Sequence, residues 1–260
     1  MKKNSLLLCL LLALVLSAFS ACAARAEAAE TDVLSGSLPL LVNKDYPVDE
    51  AFLPADLVLL TDVLDTSLVR VRNKGIMAVR TAAEALEVML EAAAKDGVKN
   101  WQINTAYRSI SEQKNLLENK IKSYRKSNPS WSRSKALSAA LRTVAEPGCS
   151  EHHLGLAFDI TAKGASAFKG TKQCKWLHLH CWDYGFIVRY QEGKEEITGF
   201  SAEEWHIRYV GPEHARLIRD NNYCLEEYLA SVEPDPDSFL VVGEIEEIGE
   251  IPLEDFPVTQ

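Results

Sequence analysis

Apolar and polar positions recur with two different periods along this chain. From Ile76 to Lys95 the residues are rich in Ala, Leu, Glu and Met, and Val79, Ala83, Leu86, Leu90 and Ala93 fall on one side. That spacing predicts an amphipathic helix, and Asp96-Gly97 supplies its stop signal. Trp101-Gln102-Ile103-Asn104 then alternates as a short strand that delivers Tyr107-Arg108-Ser109 at its end. Ser109 with Glu112 three residues on has the form of a capping box, so a helix is expected from there through Lys126, with Leu116, Leu117 and Ile121 inward. A further helix is predicted from Trp131 to Ala145, stopped by Pro147-Gly148.

The period then returns to two. Leu156, Phe158 and Ile160 alternate with Gly155, Ala157 and Asp159, which reads as a strand with one small-residue face. A small-residue loop from Ala162 to Gly170 leads to a helix near Lys172 to Tyr184, ended by Gly185, and to a strand at Phe186 to Tyr190. His206-Ile207-Arg208-Tyr209-Val210 alternates again, and Gly211-Pro212 opens a helix through Arg219. Leu40 to Lys44 opens the ordered part, and the chain around Pro47 and Pro54 reads as extended surface.

The ends of the chain have a different character. Lys2 and Lys3 precede an apolar run from Leu6 to Phe19, and small residues follow at Ala21, Ala23, Ala24 and Ala26. That is the layout of a secretory signal over residues 1–26, with an apolar run too short for a membrane span. Ser20-Ala21-Cys22 also has the form of a lipoprotein site, which makes Cys22 a candidate membrane anchor. Residues 27–40 read as a flexible lead, 41–232 as one folded domain, and the Pro- and acid-rich stretch 233–260 as a solvated tail. The 260 residues carry a formal net charge of −9, which argues against nucleic-acid binding, since no basic surplus exists to release phosphate counterions. Cys149, Cys174, Cys181 and Cys224 permit disulfides without demanding them. Cys174 and Cys181 share one predicted helix at a separation of roughly 10 Å, beyond disulfide reach.

Candidate chemistry concentrates in two stretches. Cys149 to Ile160 joins His152, His153, a glycine hinge and Asp159. An aspartate opposite large apolar neighbours needs a partner, either a metal or the turn it caps. Glu203-Glu204-Trp205-His206 adds a third imidazole with a carboxylate three residues before it. Zinc hydrolysis requires about three protein ligands, an open position and a carboxylate base that is not itself a ligand. His152, Asp159, His206 and Glu203 meet that requirement, although periodicity alone does not choose between His152 and His153 or between Glu203 and Glu204. His178, His180 and His214 read as packing or surface residues, with His214 on the exposed side of its helix.

The pattern Ser150-x-His152 through Asp159, followed by Glu203-x-x-His206, resembles that of the VanY-like D-alanyl-D-alanine carboxypeptidases. Tyr107-Arg108-Ser109 with Gln113 resembles a third element of that family, and the likeness runs from about Leu41 to about Val210. The resemblance implies an α+β fold in which a small antiparallel sheet, flanked by helices, carries the metal. It implies Zn2+ on His152, Asp159 and His206, Glu203 as general base, and Arg108 as partner of the oxyanion. Ser150, Trp205, Tyr107 and Gln113 are then substrate contacts, and Glu204 is a solvated neighbour. The implied activity is removal of the C-terminal D-alanine from peptidoglycan stem peptides, by a monomer, secreted or anchored outside the cytoplasmic membrane. An L,D-carboxypeptidase, a wall endopeptidase or a non-catalytic wall-binding protein with structural zinc are the alternatives. His180 departs from the family, which commonly has Asn there.

Overall fold

The longest apolar stripe in the chain becomes the floor of the fold. In the computed structural model, which describes residues 39–232, helix Arg80–Lys95 buries Ala82, Ala83, Leu86, Met89, Leu90 and Ala93. These residues pack with Trp101, Ile103, Phe158, Ile160 and Ile207 in the largest apolar cluster. The signal and lipoprotein readings, most of the flexible lead and the acidic tail lie outside the described residues. None of the described helices is long and apolar enough to cross a membrane.

The strands are β1 (Leu57–Leu59), β2 (Val69–Val71), β3 (Met77–Val79), β4 (Trp101–Thr105), β5 (Ala157–Ala162), β6 (Phe186–Tyr190) and β7 (Glu203–Tyr209). The helices are α1 (Leu60–Val63), α2 (Arg80–Lys95), α3 (Ile110–Ser127), α4 (Arg133–Ala140), α5 (Lys172–His180), α6 (Glu195–Thr198), α7 (Pro212–Asp220) and α8 (Leu225–Ser231). Five strands form one sheet in the order β2-β4-β5-β7-β6, while β1 and β3 pair separately. Each neighbouring pair along β4, β5, β7 and β6 is antiparallel, and β2 adds one parallel edge pair to β4. Smaller apolar clusters lie between α3 and α4, and where α7 and α8 cover Ile187 and Val210.

Several expected elements shift. The helix expected from Ile76 begins at Arg80, because Met77, Ala78 and Val79 pair with Leu59, Val58 and Leu57, a tertiary contact that overrides local propensity. The helix expected over Trp131 to Ala145 shortens to α4, which Ser132 caps by accepting from the Lys135 backbone N–H at 3.1 Å. Beyond it the backbone is recruited elsewhere, since Arg142 O accepts from Ser201 N and Ala145 O from the Gln113 amide. Leu116 is exposed rather than inward. His214 is half-buried, its Nδ1 2.6 Å from the Tyr228 hydroxyl, because α8 folds back over α7 and covers the face expected to be open. The expected strand at His206 is longer and begins at Glu203. All four cysteines of the described residues are free thiols.

Candidate active site

Three antiparallel strands and one turn bring the candidate ligands together. Asp159 of β5 is the register partner of His206 on β7 and of Thr105 on β4. His152 stands on a 3-10 turn, Glu151–Leu154, immediately before β5. Gly155 closes that turn at φ 66°, and a Cβ there would come within 3.0 Å of Leu57 and 3.2 Å of Val79, so glycine lets the turn seat against β1 and β3. His152, Asp159 and His206 offer ligand atoms that all lie within 4.8 Å of one another.

Hydrogen bonds decide which nitrogens are available. His152 Nδ1 is 2.6 Å from Ala106 O, which leaves Nε2 facing Asp159 at 3.5 Å. His206 turns Nδ1 to the same carboxylate, 3.2 Å from Oδ1. His153, the rival of His152, has both ring nitrogens engaged, Nδ1 with Arg108 O at 2.6 Å and Nε2 with Gly148 N at 3.1 Å. Asp159 Oδ1 is buried and makes no hydrogen bond. Two imidazole nitrogens and a carboxylate oxygen without other partners fit the donor chemistry of zinc, with protein ligands on three positions.

An irregularity in the sheet places the second carboxylate. In a regular strand, residues three apart face opposite sides. Here Val188 and Tyr190, two steps apart on β6, stand opposite Ile207 and Glu203, four steps apart on β7. The extra residues form a bulge, which re-aims side chains. Glu203 therefore joins His206, its Oε2 3.8 Å from Nδ1. Burial pushes the Glu203 carboxyl up to about 7, against the opposing pull of His206. Glu204 points elsewhere and pairs with Lys169 Nζ at 3.1 Å. It is held in an ion pair rather than freely solvated, which corrects the sequence expectation.

Arg108 leaves the end of β4 with its backbone N–H donating to His152 O at 3.1 Å. Its Nη1 donates to Gln113 Oε1 at 2.6 Å, and Nη2 lies 3.9 Å from Asp159 Oδ2. Burial lowers the guanidinium below its ordinary value, offset by Asp159, Glu112 and Glu203. The fully buried Gln113 donates its amide N–H to Ala145 O at 2.6 Å, so both ends of its side chain are used in bracing Arg108. Ser109 and Glu112 form both halves of the capping box that starts α3 and fixes this corner.

These groups line a cavity of about 250 Å³ with Ser150, Trp205, Lys120, Tyr190, Phe200 and the loop Thr143 to Ala145. Ser150 Oγ accepts from His152 N at 3.4 Å, and Tyr190 stacks on Phe200 beside His206. Tyr107 does not reach this cavity but lines an adjoining groove with Asn104, Asn115 and Asn119, to which Arg108 and Asp159 also belong. Lys120, Tyr190 and Phe200 carried no sequence signal of a place in this cavity. Lys120 lies one turn past Leu116 on α3, and that spacing alone does not mark it. A second cavity, beside Lys169 and Trp182, shares Tyr190 but holds no cluster of ligand atoms.

This donor set, with a carboxylate beside it, fits a hydrolytic zinc centre. The family described as VanY: D-alanyl-D-alanine carboxypeptidase matches residues 76–212, and the chain belongs to that family. A D-alanyl-D-alanine carboxypeptidase of Enterococcus faecium is 34% identical over 202 residues, which cover 77% of this chain and 59% of that protein. Among solved structures, VanYB in complex with D-alanine-D-alanine is similar at 34% identity and TM-score 0.64, over 75% of this chain and 98% of that one. A D,D-pentapeptidase VanY mutant in complex with Zn(II) is similar at 34% identity and TM-score 0.62, over 73% and 97%. The LD-carboxypeptidase LdcB is similar at 35% identity and TM-score 0.62, over 74% and 86%.

Proposed function

We propose that this chain is a zinc-dependent D-alanyl-D-alanine carboxypeptidase that trims peptidoglycan stem peptides outside the cytoplasmic membrane. The observation that carries this reading is the convergence of His152 Nε2, Asp159 and His206 Nδ1 beside a carboxylate and a guanidinium that are not in the ligand set. Zinc bound there supplies Lewis-acid polarisation of a carbonyl and activation of water. Glu203 takes the proton of the attacking water and returns it to the leaving amine. Arg108, held by Gln113, stabilises the oxyanion that forms on the scissile carbonyl. Lys120 is the other cation of the cavity and forms no ion pair among the described residues, which suits it to the substrate's terminal carboxylate. Ser150 and Trp205 contact the terminal residue, while Tyr107 serves the adjoining groove and the upstream part of the peptide.

Likeness to LdcB supports a second reading, an L,D-carboxypeptidase acting on the shortened tetrapeptide. A mass-spectrometric digest decides between them. Release of one D-alanine from a D-alanyl-D-alanine-terminated pentapeptide, abolished by chelation, supports the first. Cleavage of the tetrapeptide alone supports the second, cleavage of crosslinked dimers alone an endopeptidase, and binding without cleavage a wall-binding protein. Export follows from the lysine pair and apolar run, leaving a monomer that is secreted or, if Cys22 is lipidated, anchored. Intact mass from a native host tests it, since a diacylglyceryl mass on Cys22 supports the anchor and retained Met1 refutes export.

A further inference from the structure

Glu151 directly precedes His152, yet its carboxylate is no part of the cavity lining and lies behind His206. It is fully buried, as are Arg189 and Arg208 beside it. Its Oε1 accepts from Arg189 Nε at 2.8 Å and lies 3.1 Å from Arg208 Nη1. Its Oε2 has no hydrogen-bond partner, and neither does His206 Nε2, 3.8 Å away. A buried donor or acceptor left unmade costs about 1–3 kcal/mol. Movement of about 1 Å brings these two to hydrogen-bond length, which would satisfy both at once. The other ring nitrogen of His206 faces Asp159, so the imidazole spans the gap between Glu151 and the metal pocket.

The second histidine gives a parallel. His152 is oriented by a backbone carbonyl, Ala106 O, which fixes its outer nitrogen and frees Nε2. A carboxylate in the corresponding place behind His206 fixes the opposite tautomer and makes the ring a stronger donor. Glu151 is itself held. Arg189 grips it through Nε and makes a two-pronged contact with Glu226 on α8, at 2.9 and 2.6 Å. Arg208 donates to Leu40 O and Tyr209 O. Glu151 and Glu226 balance the two arginines in charge, although Arg208 Nη1 approaches Glu151 Oε1 at 3.1 Å without making a hydrogen bond.

We propose that Glu151 is the outer carboxylate of the zinc site, accepting a hydrogen bond from His206 Nε2 and so presenting Nδ1 to the metal, and that Arg189, clamped by Glu226, holds Glu151 in place. Glu151 is a positioning residue in this account, which rests on His206 being a zinc ligand. Helix α8, beyond the family-matched segment 76–212, thereby becomes part of the support of the metal site.

The test is zinc affinity by chelator competition on folded protein. Glu151→Asp keeps the charge opposite both arginines but withdraws the carboxylate by one methylene, and should weaken zinc by 10–100-fold. Glu226→Gln should weaken it several-fold through the loosened Arg189. Unchanged affinity in Glu151→Asp overturns the positioning role, and unchanged affinity in Glu226→Gln overturns the clamp. His206→Ala separates this from the parent reading, because zinc retained there sinks the ligand assignment itself. Should Glu151→Asp not fold, nitrogen NMR of the zinc-loaded wild-type protein still decides. Metal-bound Nδ1 with a hydrogen-bonded Nε2–H on His206 supports the proposal, and metal-bound Nε2 overturns it.

Discussion

Replacing Glu203 by Gln removes one charge and the ability to accept a proton while keeping volume and most polar contacts. The side chain is almost wholly buried at the bulge of β7, its Oε2 3.8 Å from His206 Nδ1, and His152, Asp159 and His206 form the ligand cluster without it. The anionic charge of Asp159 stays in place, so zinc should remain stoichiometric in Glu203→Gln. What is lost is proton transfer in the chemical step, typically 10²–10⁴-fold, or about 2.7–5.4 kcal/mol of barrier at 1.36 kcal/mol per tenfold. The structure supplies its own control one residue along. Glu204 is turned from the cavity and pairs with Lys169, so Glu204→Gln loses only a partly exposed ion pair worth about 0–1 kcal/mol of stability, with turnover unchanged. The assay is D-alanine release from a stem pentapeptide, with zinc content measured on the same samples. Full zinc with undiminished turnover in Glu203→Gln would refute the base assignment. Equal losses in Glu203→Gln and Glu204→Gln would point instead to general damage to β7.

Three further outcomes follow from the geometry. Lys120→Met should raise KM for a peptide with a free C-terminal carboxylate at least tenfold with kcat little changed, and a fall in kcat alone would exclude carboxylate binding. In the metal-free protein burial disfavours charge on His206, but Asp159 and Glu151 outweigh it and raise the imidazole to about 9. His206 is therefore mostly protonated at pH 8, while Glu203, at about 7, is mostly ionised. Zinc binding at pH 8 should release about one proton, and apparent affinity should rise with pH and flatten above about 9. Calorimetry in buffers of different ionisation enthalpy reads the release, and a value near zero contradicts it. Gly185→Ala places a Cβ 2.8 Å from Tyr209 Cε2 and 2.9 Å from backbone atoms of Gly211 and Pro212, at φ 81°. Urea unfolding should show a loss of roughly 2–5 kcal/mol, part from the left-handed backbone and part from overlap that backbone cannot relieve, and a loss below about 1 kcal/mol would contradict it.

Much of the site was legible because its signals are local. Ser109 and Glu112 cap α3 through contacts three residues apart, and the alternation around Phe158 and Ile160 marks β5 and its small-residue face. Asp159 stood out as a carboxylate amid apolar neighbours, while Glu203 was set apart from Glu204 only by its three-residue spacing to His206 in the family pattern. What stayed hidden depends on distant partners. Met77 to Val79 carries a helix-forming composition but pairs with Leu57 to Leu59 twenty residues earlier. Gln113 reads as a substrate contact, and its bracing of Arg108 shows only when Ala145, from the chain after α4, arrives to accept its N–H. Nothing near Glu151 announces that Arg189, Arg208 and Glu226 will bury it.

The two glutamates at 203 and 204 show how spacing singles out a residue without its geometry. A Glu three residues before a His on a regular strand would point away from it, so strand periodicity argues against cooperation of Glu203 with His206. The bulge opposite Val188 and Tyr190 removes that objection and turns Glu204 toward Lys169. Its position is supported by what packs on it: Tyr190 stacks on Phe200 and packs at a tilt against His206, so these aromatic contacts brace the strand where the ladder is interrupted. The same interruption leaves His206 with its outer nitrogen facing Glu151 and its inner nitrogen facing Asp159. A strand without the bulge could present a ligand or a base to this cavity, but not both from one run of four residues.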